Sequence, residues 1–194
     1  VASIAAAIVA PALVMRAAKP ELPAELLADY VPWIVAAAIA LAVGSAAAAV
    51  LAWRDKVVPA ALALAAAGLG TGQIALTGHG TLSPVYSAYH SVAQARPYLT
   101  SDAPFFSVET FDHSLLFYLR RVVTMVVYKD ELAIPIGWEP QRFIADRAGF
   151  ERAWTQAERA FALLPARDFD EWKQRGLPMT VIARDPRRVI VKKP

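Results

Sequence analysis

The sequence predicts a membrane protein in two parts: α-helical spans, then a small α/β domain with a mixed sheet and flanking helices. Three observations predict this. Charge is segregated, with 8 charged residues in 1–95 and 29 in 96–194. The first part holds uncharged runs of span length. The second alternates short apolar runs with turn signals and amphipathic stretches. Composition excludes several other classes. With 57% apolar residues and a net charge of +3, the chain is not disordered. With no cysteine, it is neither disulfide-stapled nor a thiolate metal protein. The pI is near 9.3, but +3 of mixed sign is a weak field, and no nucleic-acid partner is expected.

Val31 to Trp53 is uncharged and flanked by Asp29 and by Arg54, Asp55 and Lys56. At ~1.5 Å per residue it makes about 35 Å of helix, enough for a ~30 Å hydrocarbon core. Val57 to Gly78 is a second such run, and Val1 to Met15 a shorter third. The short run and the initial Val suggest the C-terminal piece of a larger protein, with further spans upstream. A signal peptide is the rival reading of residues 1–15, but the basic n-region is missing. A soluble buried hairpin is the rival for all three runs. The many Ala, Gly and Ser residues suit close helix packing. The expected organisation is 1–78 as three spans, 79–100 as a juxtamembrane helix and linker, and 101–194 as an extracytoplasmic α/β domain. Two basic residues in the turn 54–56 favour a cytoplasmic turn. Residues 79–194 would then lie outside, in the periplasm of a Gram-negative cell.

Ser83 to Arg96 reads as a helix at the membrane surface, with Tyr86, Tyr89, His90 and Ala93 on one face. Phe105 to Thr110 reads as a strand. Asp112 can cap a helix running to Arg120. Val122 to Tyr128 is a near-continuous apolar run, as in a central strand, giving a βαβ unit. Residues 131–148, with Pro135, Gly137 and Pro140, read mostly as loop. Phe150, Trp154, Ala157, Phe161 and Leu164 fall at helical spacing, which predicts one amphipathic helix ended by Pro165. Asp168 to Arg175 makes a short helix stopped by Gly176. Met179 to Arg184 and Val189 to Lys192 flank Asp185-Pro186, a hairpin signal. Lys192, Lys193 and Pro194 would then protect an exposed sheet edge.

Candidate chemistry is sparse. Gly68-Leu69-Gly70-Thr71-Gly72 lacks the spacing and the strand–helix context of a dinucleotide loop, and helix packing explains it better. His79, His90 and His113 have no metal-ligand spacing, so no metal site is expected. His79 ends a span, where an interfacial role is open. Glu109, Asp112 and His113 follow the first strand, where acid–base chemistry is possible. A helix cap with two solvated neighbours is the simpler reading. Asp130-Glu131 reads as a solvated pair, and Arg184, Arg187 and Arg188 as a solvated hairpin tip. Arg96, with Tyr86, Tyr89, His90 and Tyr98, could face a lipid phosphate headgroup. An aromatic belt with a snorkelling Arg is the alternative.

The order of final spans, juxtamembrane segment and small α/β domain resembles the C-terminal part of bacterial lipid-carrier-dependent glycosyltransferases of GT-C type. The particular similarity is to the 4-amino-4-deoxy-L-arabinose lipid A transferase family. It rests on Phe106-Ser107-Val108-Glu109-Thr110-Phe111-Asp112, Leu116-Phe117-Tyr118-Leu119-Arg120-Arg121 and Tyr128-Lys129-Asp130-Glu131-Leu132. Phe150-Glu151-Arg152-Ala153-Trp154 and Asp170-Glu171-Trp172-Lys173 add to it. The resemblance implies an inner-membrane enzyme that moves a sugar from an undecaprenyl-phosphate carrier to a lipid A phosphate, conferring polymyxin resistance. Its partners would be the lipid-linked sugar donor, the lipid acceptor, the membrane and the missing N-terminal spans. The family's catalytic carboxylate lies in an early periplasmic loop that no residue here matches, so no catalytic residue is assigned and no cofactor is named. The expected substrate contacts are Arg96, Tyr86, Tyr89 and His79. A membrane-anchored periplasmic binding or scaffolding domain without catalysis is the alternative.

Overall fold

The computed structural model describes residues 9, 12–19 and 21–194. The run Val1 to Met15 therefore lies mostly outside the described residues. The chain divides into two compact units, Val1–Ser83 and Pro84–Pro194.

The first unit is built on two helices, α1 (Ala24–Trp53) and α2 (Val57–His79). Both are long and apolar enough to cross a membrane. They expose large apolar side chains such as Val43, Leu62, Leu69 and Leu76. The glycines that permit close approach are Gly44 and Gly78. A Cβ on Gly44 would collide with Ala67, and one on Gly78 with Trp33. Gly68, Gly70 and Gly72, expected from sequence to serve packing, face no atom within 4 Å. Thr71 between them does bind across, its hydroxyl donating to the Ala37 carbonyl at 3.2 Å.

The second unit is a mixed sheet between two helical layers. After the short helices α3 (Ser83–Tyr86) and α4 (Tyr89–Ala95) come β1 (Phe105–Val108), α5 (His113–Leu119) and β2 (Thr124–Val126). Then follow α6 (Ala133–Trp138), β3 (Phe143–Ile144), α7 (Arg147–Gln156) and β4 (Phe161–Pro165). Helix α8 (Phe169–Gln174) and the hairpin β5 (Thr180–Arg184) and β6 (Arg188–Lys192) complete it. The sheet order is β3-β2-β1-β4-β6-β5. β1 pairs in parallel with β2 and β4, and β2 with β3, while β6 runs antiparallel to β4 and β5.

Strand alternation sorts the core into two layers. Phe105, Leu163 and Ile190 face one side with Leu115 of α5 and Val92 of α4. Phe106, Val108, Leu164 and Val189 face the other with Phe150 and Trp154 of α7 and Trp172 of α8. Asp112 caps α5 as expected, its Oδ1 accepting the Ser114 and Leu115 N–H groups at 2.9 and 3.1 Å. Asp146 caps α7 through Gly149 N–H. Gly176 ends α8 at φ +77°.

Four expectations are corrected. Phe150 through Leu164 is not one helix. α7 ends at Gln156, and Phe161 and Leu164 sit in β4, next to the middle of the sheet. Every residue of β4 is buried, so the strand shows no alternation to separate it from a helix. Within 131–148, α6 forms although Pro135 and Gly137 signal loop. β6 is not an edge strand, because β5 covers it. Lys193 instead caps the end of α7, its Nζ donating to the Thr155 and Ala157 carbonyls at 2.8 and 2.6 Å. Finally, Ser83 to Arg96 is broken at Ser87-Ala88, so Tyr86 does not share a continuous helix face with Tyr89.

Candidate functional site

That break has a cause 100 residues downstream. Arg188 opens β6 with only 4% of its surface exposed. Its Nη2 donates to the Val85 carbonyl at 3.0 Å and its Nη1 to the Ser87 carbonyl at 3.3 Å. In an unbroken helix, Val85 O would accept from Tyr89 N–H. Here the Ser87 hydroxyl accepts that N–H instead, at 3.2 Å. The rest of the guanidinium faces two carboxylates, Asp112 at 2.5 Å and Asp185 at 2.9 Å. Ser91 donates to Asp185, and the Ser114 hydroxyl both donates to Asp112 and accepts from Ala88 N–H. Arg188 is thus a buried clamp and not part of a solvated tip. Its partnered network satisfies the condition for burying charge. Burial pushes the Asp112 carboxyl up, but the Ser114 hydrogen bond and the Arg188 charge outweigh it and hold it below the usual value.

The clamp fixes the segment carrying most of the expected contacts. Tyr86 and Tyr89 are exposed. The Tyr89 ring meets His90 at 5.1 Å and Tyr118 of α5 at 5.3 Å, both edge-on. Arg96 begins a 3₁₀ turn, Arg96–Tyr98, after α4. It lines a cleft of about 470 Å³ with Tyr118, Arg120, Arg121, Thr100 and Ser101. Arg121 is fixed there, its Nη1 donating to Thr100 O at 2.8 Å and its Nη2 to Ala103 O. Burial pulls its pKa below the ordinary guanidinium value, opposed by the nearby Asp102 charge. Arg120 ends α5 in the left-handed region at φ 52°. Sequence reasoning missed Arg120 and Arg121 as neighbours of Arg96, because they are a strand and a helix away. His79 belongs to the first unit, at the end of α2, edge-on to Tyr30 at 6.1 Å.

Glu109, Asp112 and His113 do not act together. The Glu109 carboxylate holds Arg147 bidentately, at 2.5 and 2.9 Å. Arg147 also pairs with Glu171 and lies 5.3 Å from the Trp172 ring. Hydrogen bonding to Glu109 raises the Arg147 pKa further. His113 lies 3.6 Å from Glu131 and edge-on to Phe111. Glu131 accepts the Tyr128 hydroxyl at 2.9 Å, which pushes that phenol up to about 12. Among the described residues, no group of three or more His, Asp or Glu side chains is placed to hold a metal ion.

An apolar helix pair followed by an α/β/α unit is the plan of the C-terminal part of a GT-C membrane glycosyltransferase. Within that class, the chain belongs to the aminoarabinose transferase C-terminal domain family, whose model matches residues 91–193. Two solved structures are similar, both of ArnT from Cupriavidus metallidurans. The apo form is 30% identical with a TM-score of 0.87, covering 98% of this chain and 35% of that one. The form bound to undecaprenyl phosphate is 30% identical with a TM-score of 0.86 and the same coverage. The chain thus spans about a third of the length of those relatives. No curated protein matches it.

Proposed function

We propose that this chain is the C-terminal part of an inner-membrane glycosyltransferase that moves a sugar, aminoarabinose in the first instance, from an undecaprenyl-phosphate carrier to lipid A or another acceptor on the periplasmic side. The family match over 91–193 carries this reading, supported by the carrier lipid bound in the similar ArnT structure. The catalytic carboxylate would come from residues outside this chain. Modified lipid A would carry less negative charge and so resist polymyxin. Here Tyr86 and Tyr89 sit at headgroup level, Arg96 meets the carrier phosphate, and His79 lines the interface at the end of α2.

The role of Arg96 is tested by transfer activity in the intact enzyme at limiting carrier concentration. Arg96→Ala should lower transfer strongly, and Arg96→Lys less, since Lys keeps the charge but loses the planar fork. Full transfer in the Ala variant at normal expression overturns the assignment and favours a scaffolding role for this unit.

The same reading places residues 54–56 in the cytoplasm and 79–194 in the periplasm. These 194 residues contain no cysteine, and any cysteine elsewhere in the intact protein is replaced first. In intact cells, an impermeant thiol reagent should label Asp170→Cys and leave Asp55→Cys unlabelled. The reverse pattern inverts the topology.

A further inference from the structure

We propose that the cleft walled by Arg96, Arg120 and Arg121 binds a phosphate monoester carrying a headgroup-sized substituent. Arg96, Arg120 and Arg121 line one concavity, and no Asp or Glu is among its lining residues. The buried and half-buried arginines of the unit are met by acids: Arg147 by Glu109 and Glu171, Arg188 by Asp112 and Asp185, and Arg121 by the nearby Asp102 charge. Among the described residues, neither Arg96 nor Arg120 has a carboxylate partner. Three positive residues on one wall with no acid among its lining attract an anion.

Two features mark the cleft as built. The two carbonyl bonds of Arg121 and its 5.9 Å approach to the Phe105 ring hold one positive group in place before any ligand arrives. Arg120 occupies a left-handed helix end, where Gly or Asn is the usual residue. An arginine there accepts backbone strain and adds a third guanidinium to the wall. Ser101 and Tyr118 bring a hydroxyl and a phenol to the same lining.

The chemistry follows from charge and size. A phosphate monoester carries up to two negative charges and accepts bidentate guanidinium bonds. A cleft of about 470 Å³ is larger than a bare phosphate needs and falls in the range of small-molecule sites. This inference rests on the assignment of Arg96 to a phosphate and adds Arg120 and Arg121 to it.

The test uses the full chain in zwitterionic detergent, with calorimetric titration of three probes: inorganic phosphate, dihexanoyl phosphatidic acid and dihexanoyl phosphatidylcholine. Phosphatidic acid should bind, more weakly at higher salt, and phosphatidylcholine should not. Arg120→Gln should weaken phosphatidic acid binding at least about tenfold, the order expected for one charge-assisted contact. Arg120→Lys should recover part of the loss. Arg120→Gly, which relieves the backbone, should fold at least as well and bind as weakly as Arg120→Gln. If inorganic phosphate binds equally well, the site takes the free ion; if it binds much more weakly, the site reads a substituted headgroup. Equal binding by wild type and Arg120→Gln, or no binding by any probe, overturns the cleft. If Arg96→Ala still lowers transfer in that event, the assignment of Arg96 survives without it. If the cleft binds and Arg96→Ala transfers normally, the site exists but does not serve the carrier.

Discussion

Arg188→Ala should cost about 3–5 kcal/mol, a large share of the stability of any domain of this size. The loss comes from what the arginine leaves behind: two carboxylates, Asp112 and Asp185, stranded with little exposure, and the Val85 and Ser87 carbonyls without their donor. Hydrogen–deuterium exchange of the full chain checks it, through lost protection of the β4 and β6 amides. Unchanged protection would show that the clamp carries no net stability. Replacing Arg188 by Met together with Asp112→Asn and Asp185→Asn should cost less than Arg188→Ala alone, because no charge is then left unpaired. The acid limb adds a second readout. Asp112 titrates below its ordinary 3.8 in the folded chain. Its contribution is therefore complete above about pH 4 and is lost as pH falls through the lowered folded value. Without Arg188, two of the causes that hold the Asp112 pKa down are gone, so this acid-limb loss should shrink.

Trp154→Ala should cost about 3–5 kcal/mol by opening a cavity under the sheet. Trp154 is fully buried, between Phe150 at 5.7 Å and Phe106 at 6.5 Å. Its indole N–H donates to the Pro178 carbonyl at 3.1 Å. Trp172 is equally buried, but its N–H has no acceptor among the described residues. The two tryptophans should therefore separate on conservative change. Trp154→Phe loses volume and a hydrogen bond and strands a carbonyl. Trp172→Phe loses volume and sheds an unsatisfied donor, so it should cost less. Unfolding followed by the same exchange experiment orders them. A Trp154→Ala variant as protected as wild type would exclude it from the core.

What was legible in the sequence was local. The Asp112 cap, the apolar runs of β1 and β2, the Asp185-Pro186 turn and Gly176 all signal through residues within a few positions of one another. The misread stretch had a signal too, but the wrong one. Phe150 and Trp154 are four apart on α7, and Phe161 and Leu164 extend that spacing by accident of where β4 begins. A fully buried strand carries no period-two pattern to contradict a helix. The site was legible only in part. Tyr86, Tyr89 and Arg96 announce themselves as aromatics beside a cation on one short segment. Arg188 does not, because its partners other than Asp185 lie 76 to 103 residues away and its neighbours read as a turn. A hint existed: an arginine opening a strand as apolar as Val189-Ile190-Val191 must either reach solvent or find acids. At Arg120 the end of the helix was legible, but the left-handed backbone angle there was not.

The distance between Arg188 and the segment it grips also sets a clock. Ribosomes add about 5–20 residues per second, and Val85 precedes Arg188 by 103 residues. For about 5–20 s after Val85 is made, its carbonyl has no guanidinium to accept from. The bond that Ala88 N–H gives to Ser114 needs only 26 further residues, whereas the two from Arg188 wait for the last strand. The grip on Val85 and Ser87 therefore closes late in synthesis.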